Sequence, residues 1–352
     1  MPAAATLRWD LFCRVVDNHG DAGVCWRLAC ELARRGDAVR LVIDDTSPLA
    51  WMAPAGFDGV EVFTWPGPGE PGDVVIEAFG CDPPTAFVQA MAARAARAAR
   101  RPVWINLEYL SAEGYVERSH GLPSPQSNGL MKWFYYPGFT PRTGGLLREA
   151  GLADARAAFD RNAWLATLGL EVAAGERVVS LFCYDNAALP DLLASLAQQP
   201  TLLLLTPGHA ERQVSLLERR PSQTLRLARL PWLSQQDFDH LLWACELNFV
   251  RGEDSLVRAL WAGAPFVWQA YPQHDGVHWN KVDAMLAQWA PPPEVAALWR
   301  AWNGAPQARW PGVMLSPAWS QATHAWRNRL CEQPDLGTQL QAFARRKAAV
   351  TS

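Results

Sequence analysis

The segment formed by residues 247–268 constrains the fold of this chain more than any other. An apolar run at residues 247–250 is followed by a cluster of Arg, Gly, two carboxylates and Ser at 251–255, and then by apolar residues at helical spacing up to Gly263. A second apolar run, 265–268, follows directly. This order predicts a strand, a polar turn, a helix and a further strand, the repeating unit of a parallel sheet.

The polar turn at residues 251–255 has the composition of an anion site. The first turn of a helix offers backbone N–H groups without an intrahelical partner and the positive end of the helix dipole. Arg251 adds a full positive charge, so a nucleotide diphosphate suits this turn. In the alternative interpretation, Asp254 or Ser255 only caps the helix and Arg251 pairs with Glu253.

Strands and helices are predicted to alternate along most of the chain, which indicates an α/β protein with two Rossmann-like domains. Strands are predicted at 11–16, 38–43, 60–64, 74–78, 103–107, 178–183, 201–206, 224–229, 247–250 and 265–268. The main helices are predicted at 24–35, 153–168, 189–198, 209–219, 235–245, 256–262, 278–289, 293–302, 317–331 and 337–349.

The predicted boundaries give an N-terminal domain at residues 1–150, a second domain at 151–330 and a C-terminal helix at 331–352 that packs back on the first domain. Between 108 and 143 the pattern lapses into Gly, Pro, Ser and aromatic residues. The aromatic content favours a long binding loop that faces a partner over a disordered segment.

Composition excludes several classes of function. A net charge of −3 offers no general attraction to nucleic acid, and the one arginine cluster, residues 94–101, is expected to be a solvated helix face. No apolar run is long enough to cross a membrane, and the seven cysteines are scattered without a Cys-x-x-Cys pair. The sequence therefore predicts a cytoplasmic protein without a membrane anchor or a disulfide framework.

A second candidate site lies in the loop after the first predicted strand. Asp17 and Asp21 bracket a Gly-containing turn at the carboxyl edge of the sheet, where such folds bind ligands. Two carboxylates at this edge can hold a cationic acceptor, bind a sugar hydroxyl or accept a proton. In the alternative interpretation, Asp21 is a helix N-cap and Asp17 an ordinary turn residue.

Other motifs are absent or weak. The sequence has neither the dinucleotide-binding glycine fingerprint nor a P-loop, and its histidines do not follow zinc-site spacing, since His274 and His278 are equally consistent with the start of a helix. Aromatic residues follow several strands of the second domain and can form either a slot for a flat base or ordinary core: Phe182, Tyr184, Trp232, Phe238 and Tyr271.

Two stretches closely resemble one known family. Residues 12–29, Phe-Cys-Arg-Val-Val-Asp-Asn-His-Gly-Asp-Ala-Gly-Val-Cys-Trp-Arg-Leu-Ala, and residues 249–255, Phe-Val-Arg-Gly-Glu-Asp-Ser, are similar to motifs of the bacterial elongation factor P arginine rhamnosyltransferases, the EarP family. The resemblance continues through 261–268 and 271–273 and covers most of the chain. Both motifs fall in the two loops already singled out by pattern.

The resemblance implies a GT-B glycosyltransferase whose two Rossmann-like domains face each other across a cleft. It implies transfer of rhamnose from dTDP-β-L-rhamnose to an arginine nitrogen of elongation factor P, with inversion and with neither metal nor cofactor. A transferase for cell-envelope sugars and a non-catalytic nucleotide- or elongation-factor-binding protein are the rival interpretations. His19 and Ala22 stand where many relatives have an aromatic residue and Ile, and neither change removes a carboxylate.

Residue roles follow from position in the matched motifs. The resemblance implies three catalytic carboxylates: Asp17, Asp21 and Glu253. It implies that Asp17 and Asp21 orient or deprotonate the acceptor guanidinium, with Asp21 favoured as the base and the reverse assignment left open. The residues implied to bind substrate are Arg251, Asp254 and Ser255 for the diphosphate, Phe182, Tyr184, Gln235, Phe238 and Tyr271 for the thymine and sugar, and Asn18 and Gly20 in the acceptor loop.

Overall fold

A computed structural model describes residues 6–16, 19–97, 101–217 and 224–350. The chain divides into two compact units. The first combines the residues up to Ala150 with those from Gln333 onward, and the second runs from Gly151 to Glu332. Within the described ranges, none of the helices is both long enough and apolar enough to span a lipid bilayer.

The first unit is built on a seven-stranded sheet. Its elements are β1 (Arg8–Cys13), α1 (Gly20–Arg34), β2 (Ala38–Ile43), α2 (Leu49–Met52), β3 (Val60–Thr64), β4 (Val74–Ala78), α3 (Thr85–Arg97), β5 (Val103–Leu107), α4 (Tyr115–Ser119), β6 (Pro123–Pro125) and β7 (Met131–Tyr135). The strand order is β3-β2-β1-β4-β5-β7-β6, parallel except for β6. The order reverses between β1 and β4, and ligands bind such sheets at the carboxyl ends of the two strands at this reversal.

Burial of apolar residues explains why the central elements of the first unit form. Strands β4 and β5 are buried along their whole length, as parallel strands covered on both faces must be. In α1, residues at helical spacing such as Ala22, Cys25 and Leu32 are buried against this sheet. After α1 the chain turns at Gly36, whose φ of 91° is a conformation that glycine adopts without strain.

The predicted strand at 11–16 is displaced in the structure. β1 begins at Arg8 and ends at Cys13, which leaves Arg14, Val15 and Val16 in the following loop. Val16 is 74% exposed, so its apolar side chain extended the predicted strand without being part of it. The single helix predicted at 153–168 is two short helices in the structure. The second begins after Asp160, which is its N-cap and accepts a hydrogen bond from the Ala163 N–H.

The stretch at 108–143 is not a long irregular loop, and that prediction was wrong. It contains α4 and the antiparallel pair β6–β7, and β7 extends the sheet by pairing parallel to β5. The strand escaped prediction because its sequence, Met-Lys-Trp-Phe-Tyr, shows neither a continuous apolar run nor a clean alternation. Tyr135 at its end is nevertheless fully buried.

The second unit contains a five-stranded, wholly parallel sheet. Its elements are α5 (Leu152–Ala157), α6 (Arg161–Thr167), β8 (Arg177–Leu181), α7 (Leu189–Leu196), β9 (Thr201–Leu205), α8 (His209–Leu217), β10 (Leu225–Arg229), α9 (Gln235–Ala244), β11 (Leu247–Arg251), α10 (Glu253–Ala262), β12 (Phe266–Gln269), α11 (Val277–Trp289), α12 (Pro293–Trp302) and α13 (Pro317–Cys331). The strand order β10-β9-β8-β11-β12 reverses between β8 and β11. The carboxyl ends of these two strands are therefore the expected ligand position in this unit.

The last helix, α14 (Leu336–Val350), belongs to the first unit. Its buried residues, Leu340, Phe343 and Ala344 among them, join the core cluster that also contains α1 and β5. The Phe343 ring meets that of Tyr135 edge to face at 5.3 Å. At the start of the helix, Asp335 pairs with Arg35 of the α1 terminus at 2.7 Å. The C-terminal segment thus completes the core of the N-terminal unit.

Replacing Arg258 by Ala is expected to destabilise the second unit by about 3–5 kcal/mol, because it removes the cation that is paired with the buried Asp239 carboxylate. Arg258 of α10 and Asp239 of α9 form two hydrogen bonds of 2.7 Å and are both almost fully buried. Urea unfolding measures the loss. As a matched control, Arg300→Ala breaks the exposed pair with Asp283 and should cost about 1 kcal/mol or less. Equal losses in both variants would contradict the assigned role of the buried pair.

Candidate active site

The loop between β1 and α1 carries the first group of predicted site residues. Helix α1 begins at Gly20, earlier than predicted, after His19 at φ 72°. Asp17 and Asn18 lie outside the described residues. Gly20 and Asp21 therefore represent this loop in the structure, at the carboxyl end of β1 next to the reversal of strand order.

Asp21 lies in helix α1 and is hydrogen-bonded back to the loop before it. It lies in the first turn of α1, is buried, and its Oδ2 accepts a hydrogen bond from the Val16 N–H at 3.0 Å. The alternative that Asp21 is the N-cap is wrong, since that position belongs to His19. A carboxylate in the first turn is stabilised by the helix dipole, so Asp21 is a fixed negative charge at the ligand edge of the sheet.

The turn between β11 and α10 carries the second group. Strand β11 ends at Arg251, and α10 starts at Glu253 after Gly252, which is the N-cap residue at φ 73°. Neither Asp254 nor Ser255 is the N-cap, so the capping alternative for them is wrong. Glu253 and Asp254 are half-buried in the first turn, and Ser255 is buried. The turn presents the N-terminus of a ten-residue helix at the reversal between β8 and β11.

Arg251 is held between two aromatic rings. Its guanidinium carbon lies 4.6 Å from the ring centre of Phe182 and 4.4 Å from that of Tyr184, both in the segment after β8. The side chain is 8% exposed. Stacking on aromatic faces fixes a guanidinium in orientation while keeping its charge, and a buried cation of this kind attracts an anion strongly.

The predicted aromatic residues of the second unit form one connected cluster around Arg251. Phe182 meets Phe238 at 5.5 Å, and Tyr184 meets Tyr271 at 5.3 Å, both with rings nearly perpendicular. Tyr271 is 56% exposed, and Phe182 and Phe238 are half-buried, so the cluster is not ordinary core. A cluster of partly exposed rings beside a cation suits a flat base carrying phosphates.

The two remaining predicted residues, Gln235 and Trp232, lie at the start of α9 and in the segment before it. Gln235 is the first residue of α9, after the N-cap Ser234, and Phe238 follows it at helical spacing on the same helix. Trp232 is 57% exposed in the preceding segment. The structure thus places Gln235 one helical turn from a ring of the cluster.

Pattern reasoning missed two residues that support the site. Gln269, at the end of β12, accepts a hydrogen bond from the Tyr184 N–H at 2.9 Å and pairs in register with Arg251. Trp268 donates to the Gly252 carbonyl at 2.9 Å. A polar residue that ends an apolar strand of a parallel sheet is the signal that identifies Gln269.

His278, one of the two histidines considered as metal ligands, has a structural explanation. His278 lies in the first turn of α11, and its Nδ1 accepts a hydrogen bond from the Gln273 N–H at 3.2 Å. This contact favours the alternative that the pair marks the start of a helix.

Comparison with known proteins agrees with this geometry. The sequence profile described as "Elongation-Factor P (EF-P) rhamnosyltransferase EarP" matches residues 9–345. A protein-arginine rhamnosyltransferase of Pseudomonas putida is 43% identical over 96% of this chain and 98% of its own. The chain is also similar to a solved structure that describes EarP-mediated arginine glycosylation of translation elongation factor EF-P, with a TM-score of 0.66, 32% identity, and coverage of 97% and 99% of the two chains.

More distant structures share the fold alone. The calicheamicin glycosyltransferase CalG4 superposes with a TM-score of 0.53 at 13% identity, over 98% of this chain and all of the other. Two parallel-sheet units with this similarity constitute the GT-B glycosyltransferase fold. Because the profile covers nearly the whole sequence and the relatives match along its length, the chain belongs to the EarP family of elongation factor P rhamnosyltransferases.

Proposed function

We propose that this protein transfers L-rhamnose from dTDP-β-L-rhamnose to a side-chain nitrogen of one arginine in elongation factor P, with inversion at the anomeric carbon. The observation that carries the donor assignment is Arg251 stacked between Phe182 and Tyr184 beside the N-terminus of α10. Two relatives are named protein-arginine rhamnosyltransferase, which supports arginine as the acceptor group and rhamnose as the sugar.

The second unit binds the donor in this proposal. Arg251 and the N-terminus of α10, with Asp254 and Ser255, hold the diphosphate. The pocket for thymine and sugar is formed by Phe182, Tyr184, Gln235, Phe238 and Tyr271. Negative charge grows on the diphosphate as the bond between C1 of the sugar and the diphosphate oxygen breaks. A fixed guanidinium and a helix dipole stabilise that charge, the task that a divalent cation performs in other transferases.

The first unit supplies the acceptor chemistry. A guanidinium is a poor nucleophile because it stays protonated and its lone pairs are delocalised. Carboxylates that hold it bidentately localise electron density on one nitrogen and accept the proton that this nitrogen loses as it bonds to C1. We assign the base to Asp21, whose orientation the Val16 N–H fixes, and the orienting role to Asp17. Glu253, half-buried at the start of α10, is the third catalytic carboxylate.

Incubation of the protein with elongation factor P and dTDP-β-L-rhamnose tests the proposal. Intact-mass spectrometry should show one added deoxyhexose on the acceptor, and replacing the modified arginine by Lys should remove it. An unmodified acceptor with retained dTDP binding would favour a non-catalytic binding protein. Transfer only to a glycan or lipid acceptor would favour a cell-envelope transferase.

A further inference from the structure

A second group of aromatic residues lies at the ligand edge of the first unit, away from Asp21. Tyr109 follows β5 and stacks on Phe79, which follows β4, with ring centres 4.4 Å apart. Tyr136 follows β7 and meets Tyr115 of α4 edge to face, at 5.8 Å and 88°. Tyr109 and Tyr115 are 37% and 41% exposed. We call Tyr109, Tyr115 and Tyr136, together with Glu108, the aromatic corner.

Glu108 gives the aromatic corner a carboxylate. The half-buried Glu108 accepts a hydrogen bond from the Asn106 amide at 2.8 Å. The nearby Lys132 ammonium bonds to the buried Glu77 at 2.9 Å, so its charge is paired with a carboxylate other than Glu108. Burial raises the pKa of Glu108, and the charge of Glu77 contributes in the same direction. A cation placed against Glu108 would stabilise its charged form against both burial and the charge of Glu77.

One of the tyrosines, Tyr136, stands close to this carboxylate. The Glu108 N–H donates to the Tyr135 carbonyl at 2.9 Å, which places Glu108 beside Tyr136. Burial raises the pKa of the Tyr136 hydroxyl, and the charge of Glu108 adds to the effect. A tyrosine ring next to a carboxylate can bind an organic cation, because the ring face and the carboxylate both attract it electrostatically. Tyr115, edge to face with Tyr136, adds a second ring to this position.

We propose that the aromatic corner binds a second positively charged side chain, Lys or Arg, that the acceptor protein carries near its modified arginine. The proposal rests on the proposed function, because it assigns a docking role toward the same acceptor. It makes the aromatic corner a determinant of acceptor recognition, separate from the carboxylates that act on the modified arginine.

Sheet geometry gives the distance between the two sites. The strands follow in the order β1-β4-β5-β7, and Cys81 after β4 donates its thiol to the Phe12 carbonyl at 3.3 Å, which ties the β4 loop to β1. Strands are spaced by about 4.8 Å, so the ends of β5 and β7 lie roughly 10–15 Å from the end of β1. An extended segment covers this span in about three to five residues.

Steady-state kinetics with elongation factor P as the varied substrate test the proposal. Glu108→Gln and Tyr115→Leu should each raise KM for the acceptor by about tenfold. At saturating acceptor, kcat and the KM for dTDP-rhamnose should change by about twofold or less. The matched control Glu61→Gln removes the same charge from the exposed face of β3, at the opposite end of the sheet, and should leave all three constants unchanged.

Added salt and acceptor variants separate docking from a structural effect. The difference in KM between wild type and Glu108→Gln should shrink in high salt, since screening weakens a charge contact. In the acceptor, each basic residue near the modified arginine is replaced singly by Gln. One of these variants should raise KM as much as Glu108→Gln does, and combining the two should raise KM no further. Additive effects for every acceptor variant, or an unchanged KM in both enzyme variants, would overturn the docking proposal alone. Absence of transfer by the wild type would overturn the proposed function itself.

Discussion

Replacing Asp21 by Asn is expected to reduce rhamnose transfer by about 10³-fold or more while dTDP binds with unchanged affinity. The Asn side chain keeps the shape of Asp and an oxygen that can accept the Val16 N–H, so the loop should stay folded. In the proposed mechanism it loses the negative charge assigned to hold the guanidinium and the basicity assigned to accept its proton. Single-turnover transfer and calorimetric titration with dTDP measure the two effects separately.

Asp44 provides a matched control for this variant. It follows β2 and accepts the N–H of Val15 at 2.9 Å, one residue before the N–H that Asp21 accepts. Asp44→Asn alters the same loop by the same chemical change, and its Asn oxygen can still accept the Val15 N–H, so transfer should fall by about threefold or less. Comparable losses in both variants would mean that the loop only needs its shape, and a parallel loss of dTDP affinity would contradict the assignment of Asp21 to the acceptor.

The strands were the most predictable part of the fold. β2, β3, β4 and β5 begin and end at the predicted residues. For β4 and β5 the reason is that strands buried along their whole length in a parallel sheet are mostly apolar. β3 is a partly exposed edge strand, and its alternating apolar residues predicted it instead. The predicted strands are wrong where an apolar residue is exposed or where a strand is only partly apolar. Val16 is apolar and exposed, so it extended a predicted strand, whereas β7 is only partly buried and mixes Lys with aromatic residues.

Most individual residues of the candidate site were predictable from the sequence, but the contacts between them were not. A polar turn after an apolar strand identified Arg251, and its neighbours Phe182 and Tyr184 were marked as strand-end aromatic residues. That these rings stack on the guanidinium depends on β8 and β11 being adjacent, which no local pattern contains. Gln269 escaped for the same reason, since its contact with the Tyr184 N–H follows from the register of β12.

Replacing Arg251 by Ala is expected to weaken dTDP binding by about 100-fold, because the proposed contact to the diphosphate is buried and charge-assisted, and such a contact is worth roughly 2–3 kcal/mol. The loss should appear in the affinity for the nucleotide itself, in contrast to Asp21→Asn. Calorimetric titration with dTDP and with thymidine distinguishes the phosphate contact from the base pocket. The thymidine affinity should change less than the dTDP affinity.

Arg251→Lys separates charge from orientation at this position. Lys keeps the positive charge but lacks the planar group that stacks on Phe182 and Tyr184, so dTDP affinity should fall between that of Arg251→Ala and wild type. As a control, Arg229→Ala removes an exposed guanidinium from the end of β10 in the same sheet and should leave dTDP binding unchanged. If Arg229→Ala weakened binding as much as Arg251→Ala, the general charge of the sheet edge would explain affinity, and the stacked guanidinium would lose its special role.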